Sequence, residues 1–283
     1  MADTAFQKQY RQEFIKGFEQ RQSILRDCTT TEAVIKGNEA EFLVADSGGA
    51  STVTRGVNGK IPARNDNLTQ NTCTLTEEHD LVQKTGFNVF ASQSDQRRIM
   101  QETTMGTINR EVDSQIITEL NTATVNTGAA AVATLRIVTS VKTTLGNADV
   151  PYDGQICLLV TPAFEGYISE LPSFSSADYV KRSPLQDGEA LWDDQSPGYY
   201  LWQGMKFIVH PNLPGAGTNA EKCFAFHKSA IGHAMNTGGI DTSVGYDDEQ
   251  DYSYARCTFF GGAKLLQNSG VVVINHDGSA ISL

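Results

Sequence analysis

Four acidic residues in the second half of the chain are the first candidates for chemistry. Two carboxylates held at a fixed separation can supply the acid and the base, or the nucleophile, of glycoside hydrolysis. The acidic residues of this stretch are Asp187, Glu189, Asp193 and Asp194. Nothing in the surrounding polar sequence would raise the pKa of one of them, so a solvated loop is the simpler interpretation.

Two histidines and a second acidic stretch are the candidates for a metal site. His227 and His233 are six positions apart, which would place them on different sides of a helix, and no acidic ligand has a useful spacing to them. The stretch Asp247–Asp251 lacks the alternating oxygen ligands and the central glycine of an EF-hand loop. The sequence therefore predicts core or surface histidines, a solvated turn and no bound metal.

Two glycine-containing stretches resemble phosphate-binding loops. Gly215–Ala220 fits the loose pattern G-x-G-x-x-A, but it runs into a strand and not into the helix that a dinucleotide site requires. The pair Gly59-Lys60 matches the end of a phosphate loop, but Ile61 stands where a serine or threonine is needed. We predict a hairpin turn at the first stretch. No catalytic set remains, so the sequence predicts no cofactor and no enzyme.

The bulk composition excludes several functional classes. The 283 residues carry a formal charge of −11, which makes the chain a poor general binder of nucleic acid or anionic membranes. The five cysteines contain no C-x-x-C pair, which favours reduced thiols over a disulfide framework or a zinc site. No apolar run approaches the roughly 18 residues of a membrane span, and the first residues do not form a signal peptide. We expect a soluble protein made in a cytoplasm.

The remaining question is which elements the chain builds, and the clearest is one long helix over Ser94–Leu120. Its apolar residues recur every three or four positions and so form one stripe. They are Met105, Ile108, Val112, Ile116 and Leu120. A helix of about 40 Å with one apolar stripe needs a sheet or a loop along it. On this stretch alone, a core helix of an enzyme is the simpler interpretation.

A row of aromatic residues characterises the N-terminal region. A helix over residues 5–27 would carry the four aromatic side chains on one face, because they recur every four positions. They are Phe6, Tyr10, Phe14 and Phe18. Two interpretations remain open, a core helix and an arm that docks onto a neighbouring subunit.

A long polar segment separates two predicted strands. Glu41–Ala45 and the stretch 74–90 are typical of strands, whereas residues 47–70 are rich in glycine, asparagine and threonine. A loop of this length is unusual in a compact domain and tends to be functional. A two-stranded arm is marginally stable by itself, so we expect it to lie on a neighbouring copy.

The rest of the chain, after Leu120, alternates between predicted helices and strands. Helices are predicted near 135–145 and 164–171, and strands at 156–160, 204–210 and 222–227, with the last strand pairing back on the one before it. Strands at 252–260 and 271–274 follow. This order indicates a compact α/β lobe followed by a C-terminal region that is rich in strands.

Several short segments, in order, resemble one family. Gln155–Pro162 (QICLLVTP) and the helix at Phe164–Leu171 are followed by SFSSADYV, then by Gly204–Pro214 (GMKFIVHPNLP) and Phe224–Ala234 (FAFHKSAIGHA). With the preceding arm and long helix, this order resembles the major capsid proteins of tailed phages. These have the Hong Kong phage capsid fold, which herpesvirus shells and encapsulins share. The resemblance covers nearly the whole chain, and it depends on order and spacing because each segment is short.

The resemblance implies an α+β fold with four parts. They are an N-terminal arm (1–30), an extended β-hairpin loop (31–90), a peripheral domain with the long spine helix (91–130 and 235–283) and an axial α/β domain (131–234). The implied function is that of a major capsid protein, which assembles into pentamers and hexamers of an icosahedral shell around double-stranded DNA. An encapsulin-like compartment shell and a soluble α/β enzyme are the alternatives.

The resemblance also implies partners and contact residues. The partners would be other copies of the chain, a separate scaffolding protein, a portal protein, a decoration protein, and packaged DNA bound without sequence specificity, with no membrane. The chain would reside in the virion capsid after assembly in the host cytoplasm. Candidate contacts between subunits are the N-terminal aromatics together with Arg55, Lys60 and Arg64 at the tip of the extended loop.

Overall fold

Residues far apart in the sequence combine into two structural units. The computed structural model describes residues 22–31, 34–64, 66–86, 96–172, 180–182, 199–236 and 239–279. The first unit draws its described residues from Met1–Ser23, Thr76–Ser114 and Met235–Gly261. The second draws them from Ile24–Leu75, Gln115–Ala234 and Gly262–Leu283.

The described residues include thirteen strands and three α-helices. The strands are β1 (Val34–Lys36), β2 (Glu39–Asp46), β3 (Asn67–Thr74), β4 (Thr76–Thr85), β5 (Ile156–Val160), β6 (Val180–Arg182), β7 (Tyr199–Trp202), β8 (Met205–Val209), β9 (Glu221–His227), β10 (Ile231–Met235), β11 (Asp241–Asp247), β12 (Tyr252–Leu265) and β13 (Val271–His276). The helices are α1 (Gln96–Leu120), α2 (Leu135–Asn147) and α3 (Pro162–Ser169). Helix α1 and strand β12 each contribute residues to both units.

Strand β12 is the centre of the sheet in the first unit. It pairs antiparallel with β4 on one side and with β11 on the other. Its residues alternate largely as the sequence predicts: Ala255, Cys257 and Phe259 are buried and Arg256 and Phe260 are exposed, whereas Thr258 departs from the pattern because it is buried. One face of the sheet is therefore covered and the other is open.

Helix α1 buries a stripe with an unusual spacing. Met100, Thr104, Ile108, Val112, Ile116 and Leu120 are all buried. A step of four residues turns 40° beyond a full helical turn, so the stripe winds by about 200° over five steps. The first four of these residues belong to the first unit and the last two to the second. The predicted stripe is thus confirmed at four positions, whereas Met105 is only half-buried.

A six-stranded mixed sheet is the centre of the second unit. Its order is β13-β9-β5-β8-β7-β6, with β5 and β8 parallel and the other neighbours antiparallel. All five residues of β5 are buried. A continuous apolar run of this kind is what a strand covered on both faces requires.

The helices of the second unit cover one face of this sheet. Ile156, Leu158 and Val160 share a cluster of buried side chains with α2 and α3. The helical members are Val138, Val141, Leu145, Phe164 and Ile168. Both helices begin at a threonine that accepts a backbone hydrogen bond: Ile137 N donates to Thr134 Oγ1 (3.4 Å) and Phe164 N to Thr161 Oγ1 (3.2 Å).

The long hairpin of the second unit has a buried base and an exposed end. Strands β1, β2 and β3 form an antiparallel sheet. Near its base, Phe42 packs with Ala40, Cys73 and Ala234. The described residues between β2 and β3 are all exposed. The predicted strand–loop–strand is confirmed in outline, but the strand that returns to β2 is β3 (Asn67–Thr74), most of which was expected to be loop. The predicted second strand at 74–90 corresponds to β4, which pairs with β12 and not with β2.

One predicted strand pairing is wrong. Strand β9 does not return to β8, because it pairs with β5 and β13, while β8 runs parallel to β5. The fully apolar β5 is most stable with a partner on each edge, which places it between β8 and β9. The helix and strand positions expected at 135–145, 156–160, 164–171, 204–210 and 222–227 agree with α2, β5, α3, β8 and β9 to within two residues.

No helix in the described part of the chain is both long enough and apolar enough to cross a membrane.

The core of the second unit can be tested with two leucines of contrasting burial. We expect Leu158→Ala to lower the free energy of unfolding by about 2–5 kcal/mol, because it removes a buried side chain from the central strand and leaves a cavity. Leu68→Ala, at a leucine that is 61% exposed, should change it by less than about 0.5 kcal/mol. Guanidinium titration of dissociated subunits measures both values, and equal losses would contradict the assignment of β5 to the core.

Candidate inter-subunit surfaces

The second unit has a buried cluster that contains a hydroxyl, a carboxylate and an imidazole. The carboxylate of Glu221 accepts hydrogen bonds from Thr161 Oγ1 (2.6 Å) and from the backbone N–H of Gly217 (2.6 Å), and it pairs with His276 Nδ1 (2.6 Å). The Thr161, Glu221 and His276 side chains are fully buried. The imidazole also lies edge-on to Phe164, with ring centroids 5.0 Å apart.

The hydrogen bonds of this cluster connect separate segments of the fold. Its three groups are not in the order that a catalytic triad requires. In a hydroxyl–histidine–carboxylate triad the histidine lies between the nucleophile and the acid. Here the Glu221 carboxylate lies between Thr161 and His276. It joins the start of α3, the turn before β9 and the end of β13, so its role is to hold three segments in one arrangement.

The other predicted candidates for chemistry are ordinary structural groups. His227 and His233 are buried, and His227 Nε2 lies 3.1 Å from Asp153 Oδ1. In the acidic turn, Asp247 Oδ1 accepts from the N–H groups of Glu249 (2.9 Å) and Gln250 (3.3 Å), as expected of a solvated turn. No group of metal-ligating side chains comes together within the described residues.

The two glycine stretches form turns. Thr218 N donates to Gly215 O (3.0 Å) and strand β9 follows, so the stretch is a turn. It is not the turn of a hairpin, as predicted, because β8 and β9 do not pair with each other. Gly59 N donates to Gly56 O (2.9 Å) within the exposed end of the hairpin. Asp187, Glu189, Asp193 and Asp194 lie outside the described residues.

Exposed aliphatic side chains concentrate on the hairpin. Five of the large apolar residues that the structure leaves exposed lie along β2, β3 and the segment between them. They are Leu43, Val53, Val57, Ile61 and Leu68, each at least 60% exposed. Single exposed apolar residues are common, but a set on one projecting element marks a contact surface. We call these five residues the hairpin surface.

The end of the hairpin is also basic. Residues 47–66 contain Arg55, Lys60 and Arg64 against one acid, Asp66, although the whole chain carries −11. Arg64 Nη1 donates to Ser47 O (3.1 Å) across the segment, while Arg55 and Lys60 are exposed.

The neck of the hairpin is closed by one aspartate. Asp46 Oδ1 accepts from Asn67 Nδ2 (2.5 Å) and from Gly48 N (2.7 Å). These bonds lower the pKa of Asp46, first through Asn67 and then through Gly48, because they favour the charged carboxylate. Asp46 and Asn67 are also the last paired residues of β2 and β3, so the exposed segment leaves and returns at one point.

The open face of the sheet in the first unit contains a groove of about 520 Å³. Its lining includes the acids Glu77 and Asp241, the base Arg256 and the ring of Phe260, which is 38% exposed. At one side, His79 lies between Thr258 Oγ1 and Glu77 Oε1, at 2.9 Å from each. We call this surface the sheet groove; it combines two carboxylates, one guanidinium and an apolar ring.

An exposed apolar hairpin and a sheet with one open face are surfaces suited to contacts with other molecules. A family model described as phage capsid protein matches residues 2–278. The chain belongs to the phage capsid protein family.

Solved phage capsid structures share the fold of this capsid protein. A chain from Mycobacterium phage Che8 matches with a TM-score of 0.72 at 17% identity, covering 97% of this chain and 98% of that one. The capsid of Ralstonia phage GP4 matches with a TM-score of 0.68 at 14% identity, over 97% and 96%. The capsid of a native GTA particle gives 0.67 at 13% identity, over 96% of each. A search of curated protein sequences found no match.

These findings confirm the predicted α+β capsid fold and give the capsid protein a structural role in the virion capsid. They favour a phage shell over the compartment shell and the enzyme that the sequence left as alternatives. Of the predicted contact residues, Arg55, Lys60 and Arg64 lie together on the basic end of the hairpin. Phe6, Tyr10, Phe14 and Phe18 lie outside the described residues.

The sequence analysis missed the hairpin surface and the sheet groove of the capsid protein. A signal for the first was present, since Val53, Val57 and Ile61 interrupt an otherwise polar stretch that is rich in glycine and so has no core of its own. The groove had no such signal, because strand pairing brings its residues together from three separate segments.

The buried carboxylate of the capsid protein gives a second prediction. Glu221→Gln should lower the free energy of unfolding by about 1.5–3 kcal/mol, because an amide cannot accept all three hydrogen bonds and its NH₂ would face donors. Glu249→Gln, the same change in an exposed turn, is the matched control and should be nearly neutral. Guanidinium titration measures the free energy of unfolding of both variants. An unchanged value for Glu221→Gln would contradict the structural role of these hydrogen bonds.

Proposed function

We propose that this capsid protein is the major shell protein of a tailed phage, assembling into pentamers and hexamers of an icosahedral shell around double-stranded DNA. The observation that carries the proposal is the hairpin surface. Five exposed aliphatic side chains lie on an element that has no core of its own at its end. Such an element becomes stable only where another molecule covers it, and a shell supplies that molecule as a second copy.

The energetics favour a neighbouring copy as the cover. Burying one large aliphatic side chain contributes about 1.5–3 kcal/mol when the burial is complete. Partial burial of the five residues of the hairpin surface therefore contributes several kcal/mol for each contact. Ion pairs of Arg55 or Lys60 with a neighbour add only ~0–1 kcal/mol each in solvent. The aliphatic residues thus contribute most of the binding free energy, and the basic residues contribute mainly to the orientation of the hairpin on its neighbour.

The sheet groove is the surface on the neighbour that we assign to the hairpin. It offers Phe260 for the aliphatic residues and the carboxylates of Glu77 and Asp241 for the basic ones. Complementary charges steer encounters and disfavour wrong registers more than they add affinity.

The domain assignment follows the capsid fold. We assign residues 1–30 to an N-terminal arm, 31–90 to the extended loop, 91–130 and 235–283 to the peripheral domain, and 131–234 to the axial domain. The aromatic row Phe6, Tyr10, Phe14 and Phe18 belongs to this arm, and we propose that it docks on an adjacent copy. The axial domain would meet its counterparts at the centres of pentamers and hexamers.

Other partners follow from the role in a shell. A net charge of −11 keeps the wall from adhering to packaged DNA, so the DNA would be enclosed without sequence-specific contacts. Assembly in the host cytoplasm would involve a separate scaffolding protein and a portal protein, and a decoration protein is a further candidate partner.

Electron microscopy tests the proposed function directly. The purified chain, expressed with and without neighbouring gene products, should form uniform closed shells tens of nanometres across. Deleting residues 49–65 should leave a folded subunit that fails to form shells, because the deletion removes the exposed end and leaves the Asp46–Asn67 neck. Normal shells from this deletion would contradict the role of the hairpin, and small uniform particles from the intact chain would contradict the shell.

A charge-matched pair of variants separates the aliphatic residues from the hairpin as a whole. The triple variant V53D/V57D/I61D should reduce shell yield at least tenfold, because it adds charge where burial is expected. The control T52D/T54D/N58D adds the same three charges at neighbouring polar positions of the same exposed segment. Sedimentation of assembled shells measures the yields. Equal loss in both variants would mean that charge alone, and not burial, controls the contact.

A further inference from the structure

Two buried cysteines of the second unit have thiols in contact. Cys28 ends the short 3-10 helix Arg26–Cys28, and Cys157 is the second residue of β5. Their side chains hydrogen-bond each other. Both are buried, with Cys28 at 6% exposure and Cys157 at 1%. Cys157 alternates with Ile156 and Leu158, so it lies on the face of the sheet away from the helix-covered cluster.

Backbone hydrogen bonds fix the two cysteines near each other. Thr30 N donates to Ile231 O (3.0 Å), Thr30 Oγ1 donates to Lys228 O (3.0 Å), and His233 N donates to Thr30 O (2.9 Å). Lys228 N in turn donates to Gln155 O (3.2 Å), just before β5. The segment that carries Cys28 and the strand that carries Cys157 are therefore held to the same point of the chain, the junction between β9 and β10.

The surroundings make the two thiols chemically unequal. The pKa of Cys28 is lowered, chiefly by the hydrogen bond from Cys157 and then, against burial, by Lys206 and Lys228. The pKa of Cys157 is raised, chiefly by its hydrogen bond with Cys28 and then by burial. The first ionisation of the pair leaves one thiolate hydrogen-bonded to one thiol, and we take Cys28 as the thiolate that meets the oxidant because it is the more exposed of the two. A thiolate paired with a neighbouring thiol is the arrangement from which a disulfide forms.

We propose that Cys28 and Cys157 are an intrachain disulfide site of the assembled capsid protein. Both thiols stay reduced in a reducing cytoplasm and are oxidised outside it, so the timing rests on the proposed function as a virion shell. The oxidant is a low-molecular-weight disulfide such as glutathione disulfide. The bond joins the end of the N-terminal arm (1–30) to β5, a central strand of the six-stranded sheet.

The reaction is two successive thiol–disulfide exchanges. The Cys28 thiolate attacks one sulfur of glutathione disulfide, which breaks its S–S bond and releases one glutathione thiolate. That thiolate takes up the proton of Cys157, whose sulfur then attacks the mixed disulfide on Cys28 and releases the second glutathione. The two cysteines lose two electrons and two protons in total, and one glutathione disulfide becomes two glutathione thiols.

The disulfide would attach the end of the N-terminal arm covalently to the sheet and so stabilise the folded protein. The bond closes a loop of about 130 residues, and long loops gain most from a crosslink because the unfolded chain is restricted most. We expect the oxidised protein to melt about 10 °C higher than the reduced protein. Strain at the crosslink would lower this gain.

Peptide mapping of the intact protein tests the site. The full-length chain is incubated with glutathione disulfide, denatured in the presence of an alkylating reagent, and digested without reduction. Mass spectrometry should find the Cys28 peptide linked to the Cys157 peptide, while Cys73, Cys223 and Cys257 are alkylated. Five alkylated cysteines, or a stable glutathione adduct on Cys28, would overturn the proposal. This readout lies within one chain, so it stands or fails separately from the microscopy of shells.

Two serine variants control the thermal readout. Cys157→Ser should abolish both the linked peptide and the rise in melting temperature on oxidation. Cys223→Ser is the matched control, because Cys223 is also buried in this sheet and burial raises the pKa of its thiol to about 12. It should retain the linked peptide and the rise. A linked peptide without any rise in the melting temperature would overturn the prediction that the disulfide stabilises the folded protein.

Discussion

A two-stranded ribbon cannot bury its own side chains, and this constraint shapes the capsid protein. At the base of the hairpin, Phe42 finds a cover within the chain, and Gly232 makes room for it, because a side chain at that position would collide with the ring. Beyond Asp46 no such cover exists, and every described residue up to Asp66 is exposed. Aliphatic residues placed there are a cost to the isolated subunit and a gain only in an assembly. The element that is weakest within one chain is therefore the one suited to join two chains.

The second unit supplies the rigidity that such an arm requires. Its central strand β5 is buried along its whole length between two apolar layers. A single buried carboxylate, Glu221, satisfies donors from the start of α3, the turn before β9 and the end of β13. Removing one partner from such a group would leave a buried polar atom incompletely hydrogen-bonded, which costs about 1–3 kcal/mol and disfavours other arrangements of the three segments. Shell proteins need this property, since each copy must present the same surfaces in the same geometry.

Helix α1 shows how one sequence feature serves two units. Apolar residues spaced strictly by four cannot remain on one face, because each step turns 40° past a full turn. The buried stripe therefore winds about the helix from Met100 to Leu120, and its two halves belong to different units. A spacing that alternates three and four would have kept the stripe on one face and tied the helix to one unit. The expected residue Met105 is only half-buried because the strict four-residue series, which begins at Met100, decides the stripe.

Local patterns in the sequence determined most of the elements and contained no recognisable nucleotide-binding or metal-binding motif. The sequence located α1, α2, β5 and the first hairpin strand β2, because apolar spacing is a property of neighbouring residues. The same local tests rejected nucleotide and metal sites, since those need fixed spacings that are absent. Tertiary structure alone decided that β9 pairs with β5 and not with β8, that Glu221 meets His276, and that Cys28 meets Cys157. Each of these contacts joins residues separated by tens of positions, and their meeting depends on the free energy of the whole packed sheet. No spacing within a single segment encodes it.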